Sequence, residues 1–184
     1  DQKLYTMKSK FFHPLMFSNI TKNDKKILSK FILKSDIFTQ SSKVRQFERL
    51  WSDWLGVKYS VFVNSGSSAN YLTLAAVKII YGTGEVIVPP LTWNSDIVSV
   101  INNGFKPVFV DINLNNLSMN IDQVLKKINK KTKAVFITHA QGFNGLNKKL
   151  LETLNKKKII LIEDVCESHG AKFENKKLGS FGKI

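Results

Sequence analysis

The stretch KAVFITHAQGFNGLNKKLLETLNKKKIILIED (133–164) contains two apolar runs with a helical pattern between them. The runs are KAVFITH (133–139) and IILIED (159–164), and NKKLLETLNKK (147–157) places its leucines at helical spacing. Neither run alternates apolar with polar residues, as a strand with one solvated face does. The pattern is therefore typical of parallel strands joined by a crossover helix, in a sheet covered by helices on both faces.

The same alternation extends back to residue 59. Three earlier strands are predicted: YSVFV (59–63), EVIVP (85–89) and KPVFVD (106–111). The predicted helices that follow them are SSANYLTLAAVKIIYG (67–82), WNSDIVSVINNG (93–104) and MNIDQVLKKIN (119–129). The sequence thus predicts an α/β fold with a mostly parallel, five-stranded sheet in a three-layer α/β/α arrangement.

Residues 1–40 lack this rhythm, and we predict that they form an N-terminal arm and helix segment, apart from residues 41–184. HPLMF (13–17) is predicted to be extended. TKNDKKILSKFIL (21–33) is predicted to be a helix capped by Thr21.

A further helix is predicted directly before the first strand, over SKVRQFERLWSDWLGV (42–57). Its large apolar residues recur at helical spacing. Ser42 is a suitable N-cap, and Gly56 is a suitable stop signal.

The composition indicates a folded chain without a membrane span. A chain of 184 residues with 43% hydrophobic residues can bury a core, and one cysteine fits a reducing compartment. No window offers ~18 consecutive apolar residues, so no membrane span is expected. The chain starts at Asp1 rather than Met, and its last residues show neither a helix end nor a polar tail, so we expect a piece of a longer chain.

The net charge of +14 raises the question of a nucleic-acid partner. The lysines cluster in LKKINKKTK (125–133), NKKK (155–158) and NKKL (175–178), mostly at predicted helix ends and turns. The sequence contains no zinc-finger spacing and no aromatic-basic sheet motif. We therefore predict a solvated, lysine-rich surface and no nucleic-acid partner.

Ligands of parallel α/β sheets collect outside the carboxyl ends of the strands, which points to the loops 64–68, 90–93 and 164–167. In the first, Gly66 permits a tight turn, and a helix is predicted to begin at Ser67 or Ser68. Free backbone N–H groups and two hydroxyls would make an anion site there, with a plain serine N-cap as the alternative. The spacing matches neither a P-loop nor a dinucleotide fingerprint.

The other two loops carry a tryptophan and a carboxylate. Trp93 can stack on a flat ring or fill core space. Asp164 follows a buried strand, where a carboxylate needs a cation or a strong donor such as a protonated pyridine nitrogen. Together the loops fit pyridoxal 5′-phosphate, with the phosphate at Ser67 and Ser68, the ring on Trp93 and Asp164 at the ring nitrogen.

Neighbouring residues are given other roles. Cys166 is predicted to be a small buried residue rather than a nucleophile. His139 and His169 are predicted to be core residues or to support the site, with direct contact to the site as the alternative, and Glu163 has no assigned role. The spacing of Cys166 and His169 from Asp164 matches no known ligand pattern, so no metal is expected.

Several ordered segments carry a family resemblance: FTQSSKVRQFE (38–48), NSGSSAN (64–70), PPLTW (89–93), KPVFVDIN (106–113), ITHAQG (137–142) and EDVCESHGAKFENKKLGSFG (163–182). They resemble the DegT/StrS family of sugar-nucleotide aminotransferases, which have the aspartate-aminotransferase (type I) fold. The resemblance implies that residues 41–184 are part of the large domain that binds pyridoxal phosphate. The implied cofactor-binding residues are Gly66, Ser67, Ser68, Trp93, Asp164 and Glu167.

The family resemblance also implies an activity and partners. The parent protein would be a cytoplasmic homodimer that transfers an amino group, usually from glutamate, onto a keto sugar nucleotide. The family's Schiff-base lysine falls beyond Ile184, and Lys183 aligns with the loop before it. No catalytic residue is therefore expected within the chain, and the chain alone is expected to be inactive.

One residue departs from the family pattern. Glu167 stands where aminotransferases of the family often carry Gln or His. This favours, as an alternative, the branch of 4-keto-6-deoxy-sugar-nucleotide 3-dehydratases, in which histidine replaces the lysine. A non-enzymatic DNA-binding regulator on the same fold is a further alternative, supported by the net charge alone.

Overall fold

The computed structural model describes residues 17–184, and the chain divides into two compact units, 1–41 and 42–184. In the first unit, α1 (Lys22–Lys34) begins with a capping box. The Asp24 N–H donates to Thr21 Oγ1 at 3.2 Å, and the Thr21 N–H donates to Asp24 Oδ2 at 2.8 Å. The predicted helix and its cap are confirmed, whereas the predicted extended stretch 13–17 lies outside the described residues except for Phe17.

The second unit contains a parallel sheet of four strands: β1 (Glu85–Val88), β2 (Lys106–Phe109), β3 (Thr132–Thr138) and β4 (Ile160–Asp164). Their order is β2-β1-β3-β4, and every pairing is parallel. This confirms the predicted parallel sheet and four of its five predicted strands.

Five helices belong to this unit: α2 (Ser42–Leu55), α3 (Gly66–Tyr81), α4 (Asn94–Asn102), α5 (Ile121–Lys127) and α6 (Lys148–Lys157). Successive strand residues point to opposite faces of the sheet. Val88 therefore packs in one core cluster with Leu74 of α3 and Val100 of α4, whereas Ile87 packs in the other with Leu150 of α6. Both faces are covered, which confirms the three-layer α/β/α arrangement.

The end of α2 follows the sequence signal. Gly56 adopts φ +83°, and its N–H donates to the Ser52 carbonyl at 2.8 Å. A left-handed residue at this position is the usual way to end a helix, so the predicted stop is confirmed. Ser42, predicted as the N-cap, is instead the first helical residue.

Residues 59–63, predicted as the first strand, form no strand in the described part of the chain. Tyr59 and Val61 are 76% and 78% exposed. The Phe62 N–H donates to the Glu48 carboxylate at 2.9 Å rather than to a neighbouring strand. The prediction was wrong because β-branched and aromatic composition reports a propensity, while a strand also needs a hydrogen-bonded neighbour.

A short antiparallel pair, β5 (Lys172–Phe173) and β6 (Lys176–Lys177), was not predicted. Its turn places Glu174 and Asn175 at φ +46° and +65°. Asn is typical of such a turn, but Glu is not, and strands of two residues leave almost no pattern in a sequence.

The strand order reverses at β1, because β2 lies on one side of it and β3, the next strand in the chain, lies on the other. The crevice outside the carboxyl ends at such a reversal is the preferred ligand site of open α/β sheets. The segments after Val88 and after Thr138 meet there. Asp164, which is paired in register with Thr138, stands beside them.

Candidate functional site

The first loop ends in a capped helix. Ser65 is the N-cap of α3, and its Oγ accepts from the Ser68 N–H at 3.2 Å. The helix thus begins at Gly66, earlier than predicted, and the capping residue is Ser65 rather than Ser67 or Ser68. The cap uses the Ser68 N–H, whereas the N–H groups of Gly66 and Ser67 belong to a first turn that has no intrahelical acceptors.

Gly66 serves this loop differently from the prediction. Its φ is not positive, so no turn there depends on glycine. A Cβ built on it would meet nothing within 4 Å. Glycine therefore leaves the helix N-terminus open to an approaching group, and the exposed Ser67 lies beside it.

Trp93 is the residue before α4 and is 73% exposed. The alternative that it fills core space is therefore wrong. It lines a surface groove together with Ser67 and Tyr71 of α3. The first and second predicted loops thus meet at one groove.

Asp164 is the last residue of β4 and is half-buried. Its Oδ1 accepts from the Cys166 N–H at 2.9 Å. This bond ties one carboxylate oxygen to the turn after the strand, so the orientation of the side chain is restrained.

Asp96, which the sequence analysis did not select, lies at the centre of the site and is 1% exposed. Its Oδ1 accepts from Asn70 Nδ2 of α3 at 2.6 Å. Its Oδ2 accepts from the Thr92 hydroxyl, and the Thr138 hydroxyl of β3 lies 3.3 Å from the same oxygen. One carboxyl group therefore joins the start of α3, the start of α4 and the end of β3.

The environment of Asp96 disfavours its ionised form. Burial, above all, and then the negative charge of Asp164 raise the pKa of Asp96 to about 7. The two threonine hydroxyls act in the opposite direction by stabilising the carboxylate. The signal in the sequence was helical spacing: Asp96 shares the inner face of α4 with the buried Ser99 and Val100.

Comparisons with known proteins show the family and the fold. The model of the DegT/DnrJ/EryC1/StrS aminotransferase family matches residues 19–184. The chain belongs to this family.

Its relatives in the DegT/DnrJ/EryC1/StrS family include enzymes of two kinds. The GDP-4-keto-6-deoxy-D-mannose 3-dehydratase of Escherichia coli O55:H7 is 35% identical over 160 residues, which are 82% of this chain and 40% of that protein. The GDP-perosamine synthase of Vibrio cholerae is 31% identical over 171 residues, which are 93% of this chain and 46% of that protein.

A solved structure of the E. coli dehydratase with bound hydrated PLP superposes with a TM-score of 0.85 at 33% identity. The match covers 93% of this chain and 45% of that one. The chain thus spans less than half the length of these relatives, and its aminotransferase-family fold is established over nearly all of its residues.

In this aminotransferase-family chain, Glu167 is the last residue of the third loop, 164–167. It is exposed, and its Oε2 accepts from the Gln141 N–H at 2.7 Å. Gln141 itself has φ +55°. The contact holds Glu167 against the short 3₁₀ turn Ala140–Gly142 that follows β3.

Cys166 differs from its prediction. The residue is exposed rather than buried. The residue as a whole is exposed, but its thiol is partly desolvated. This desolvation, followed by the hydrogen bond and charge of Asp164, raises the pKa of Cys166 to about 12. A neutral thiol is a poor nucleophile, so the prediction that Cys166 is not a nucleophile agrees with its environment.

Glu163 and His139 form a buried structural clamp. Glu163 accepts from His139 Nε2 at 3.1 Å and from the N–H groups of Gly179, Phe181 and Gly182 at 2.8–2.9 Å. The Gly145 N–H donates to His139 Nδ1, so Nε2 carries the proton and the imidazole is neutral.

Burial by itself raises the pKa of Glu163, but the bonds from His139 and the backbone N–H groups outweigh it and hold that pKa below its usual range. Glu163 therefore fastens residues 179–182 to the end of β4. The prediction that His139 is a core or supporting residue is confirmed.

His169 is exposed and lies edge-on to Trp51, with 5.3 Å between ring centroids. It is therefore not a core residue, and the alternative that it supports the site stays a prediction. Residues 17–184 contain no group of three or more His, Cys, Asp or Glu side chains that could hold a metal ion. Over the same residues, no helix is long and apolar enough to cross a membrane.

Proposed function

We propose that the chain is the first part of the pyridoxal-phosphate-binding domain of a longer enzyme that transfers an amino group onto a keto sugar nucleotide. One observation carries the proposal. An open helix N-terminus, an exposed tryptophan and a half-buried carboxylate stand at the carboxyl edge of a parallel sheet, where the strand order reverses. Membership of the DegT/DnrJ/EryC1/StrS aminotransferase family supports the same proposal.

The residues present fit the cofactor. The N–H groups of Gly66 and Ser67 and the hydroxyls of Ser67 and Ser68 are donors for a phosphate, and the positive end of the α3 dipole favours an anion. The open space over Gly66 leaves room for it. Trp93 offers an exposed aromatic face for the ring, and Glu167, exposed in the loop after β4, would be available to the ring substituents.

Asp164 has the decisive electrostatic role in the proposal. A carboxylate at the pyridine nitrogen stabilises the protonated ring by a charge-assisted hydrogen bond. When bound, pyridoxal phosphate supplies an electron sink for a substrate carbanion. The chain's own contribution is to bind and orient the cofactor and to keep a negative charge at one fixed point. None of the residues proposed to hold the cofactor bonds covalently to it.

Dehydration of a 4-keto-6-deoxy sugar nucleotide at C-3 is the second candidate function. Glu167 and the similarity to the E. coli dehydratase support it. The two candidates differ in the residue that takes the nucleophile position in the complete protein. Lysine there supports amino transfer, and histidine supports dehydration at C-3. Glutamate as amino donor, a homodimer and a cytoplasmic location are further parts of the proposal, supported by the family resemblance alone.

The complete protein provides the test. Wild type, Asp164→Asn and a control, Asp53→Asn at an exposed position on α2, would be titrated with pyridoxal phosphate and then assayed with a GDP-linked 4-keto-6-deoxy sugar and glutamate. We expect saturable binding and turnover in wild type and the control, and greatly slowed turnover with retained folding in Asp164→Asn. Unchanged turnover in Asp164→Asn would refute the ring-nitrogen role. No saturable binding in wild type would refute the proposed function.

A further inference from the structure

Asp96 is surrounded by neutral hydrogen-bond donors. They come from three elements: Asn70 on α3, Thr92 in the loop before α4 and Thr138 at the end of β3. The Thr92 and Thr138 oxygens lie 2.6 Å apart, so the two hydroxyls form a short chain that ends on Asp96. Neutral donors orient a carboxyl group but do not balance a buried negative charge.

The titratable groups that act on Asp96 are acidic. Asp164 stands beside it at the end of β4, because Asp164 is paired in register with Thr138, whose hydroxyl lies 3.3 Å from Asp96 Oδ2. Asp164 acts on Asp96 through its charge and through a side-chain hydrogen bond. Cys166, in the turn after β4, feels the charges of both acids. No Lys, Arg or His is among the groups that shift Asp96 in the described part of the chain.

Two carboxyl groups in hydrogen-bond contact need one proton between them, because a carboxylate only accepts. If both were ionised, like charges would stand side by side in a buried place, which is strongly unfavourable. We propose that Asp96 retains a proton and donates it as a hydrogen bond to Asp164, so that the two acids together present a single, oriented negative charge to the site.

Asp96 is thus a positioning residue that acts through Asp164. The Cys166 N–H donates to Asp164 Oδ1 at 2.9 Å, and in the proposal the Asp96 O–H is a second donor to the same carboxylate. The consequence for the cofactor rests on the proposed function: the pair would bind a protonated ring nitrogen with one charge rather than two. The shared proton itself does not depend on any ligand.

Infrared difference spectroscopy on the complete, cofactor-free protein tests the proton directly. At about pH 6, where exposed carboxyl groups are ionised, wild type minus Asp96→Asn should show the carbonyl stretch of one protonated carboxylic acid. The band should disappear as the pH is raised through the pKa of the pair. Absence of the band would overturn the proposal.

Asp164→Asn provides the second arm of this experiment. Removal of the neighbouring negative charge should make Asp96 easier to ionise, so the band should titrate at a lower pH than in wild type. A band that titrates at the wild-type pH would show that the two acids do not share a proton, and would also overturn the proposal.

Binding of pyridoxal phosphate separates this inference from the proposed function. Asn at position 96 can still donate to Asp164, whereas Ala cannot. We expect Asp96→Asn to bind within about threefold of wild type and Asp96→Ala to bind about tenfold more weakly, the effect of one lost hydrogen bond. Equal binding by both variants would overturn the positioning role. An infrared band in a protein that binds no cofactor would leave the shared proton intact and refute only the proposed function.

Discussion

Substitution of Asp96 by Asn should change how the stability of the protein depends on pH. Burial first, and then the charge of Asp164, raise the pKa of Asp96 from 3.8 to about 7. Between these values the folded protein holds a proton that the unfolded chain has released. The free energy of unfolding of wild type therefore falls as the pH rises through this window.

The size of the effect follows from the same shift. One pKa unit corresponds to about 1.36 kcal/mol, so a shift of about three units corresponds to about 4 kcal/mol across the window. Asp96 is 1% exposed, so solvent screens this effect little. Asn has no titrating proton, and the stability of Asp96→Asn relative to wild type should rise by up to this amount from about pH 4 to about pH 7.

Urea unfolding of the cofactor-free complete protein, followed by tryptophan fluorescence, measures this difference. The pH dependence of groups distant from Asp96 is common to both proteins and cancels in the comparison. Asp164 does not cancel, because its titration is linked to that of Asp96, so the measured difference reports on the pair. Asp53→Asn is the control, because Asp53 is exposed and its replacement should give a difference that is flat with pH. If the free energy of unfolding of Asp96→Asn minus that of wild type is constant with pH, or falls as the pH rises, then the pKa of Asp96 is not raised in the folded protein.

Three further substitutions probe the clamp, the cap and the aromatic face. Glu163→Gln leaves buried N–H donors unpaired and should lower the free energy of unfolding in urea by about 3 kcal/mol at neutral pH. This difference from wild type should shrink as the pH falls below the usual glutamate pKa. Equal free energies of unfolding in wild type and Glu163→Gln would contradict the clamp. Ser65→Ala removes the cap of α3 and should cost about 1 kcal/mol; no change in thermal unfolding would contradict the cap. Trp93→Ala should alter stability by less than about 0.5 kcal/mol, because the side chain is 73% exposed, but should weaken cofactor binding about tenfold. Leu114→Ala, at a side chain 83% exposed, is its control, and equal weakening in both would contradict a specific role for Trp93.

The strands and helices that were predicted correctly share one property: their signal is local. The apolar runs at β1, β3 and β4 each adjoin a segment whose apolar residues recur at helical spacing. Their consecutive apolar residues indicate that both faces of each strand are buried. The segment 59–63 has the same composition but lacks a neighbour among the described strands. Pairing is a property of two segments, and one segment cannot reveal it.

The sequence predicted the loop residues of the candidate site but not Asp96, which lies at its centre. Ser67, Trp93 and Asp164 follow strand ends, so the topology rule selects them. Asp96 lies in the first turn of α4. Only its contacts with Asn70 and Thr138, distant in sequence, show that it is buried and connected to other elements. A polar residue on the inner face of an amphipathic helix was the available signal.

A crystal structure of the complete protein with pyridoxal phosphate tests the central claim most directly. We expect the phosphate at the N-terminus of α3, the ring against Trp93, and the ring nitrogen within about 2.7–2.9 Å of an Asp164 oxygen, as a charge-assisted hydrogen bond requires. A cofactor bound elsewhere, or bound here with its ring nitrogen directed away from Asp164, would show that these residues do not form the cofactor site.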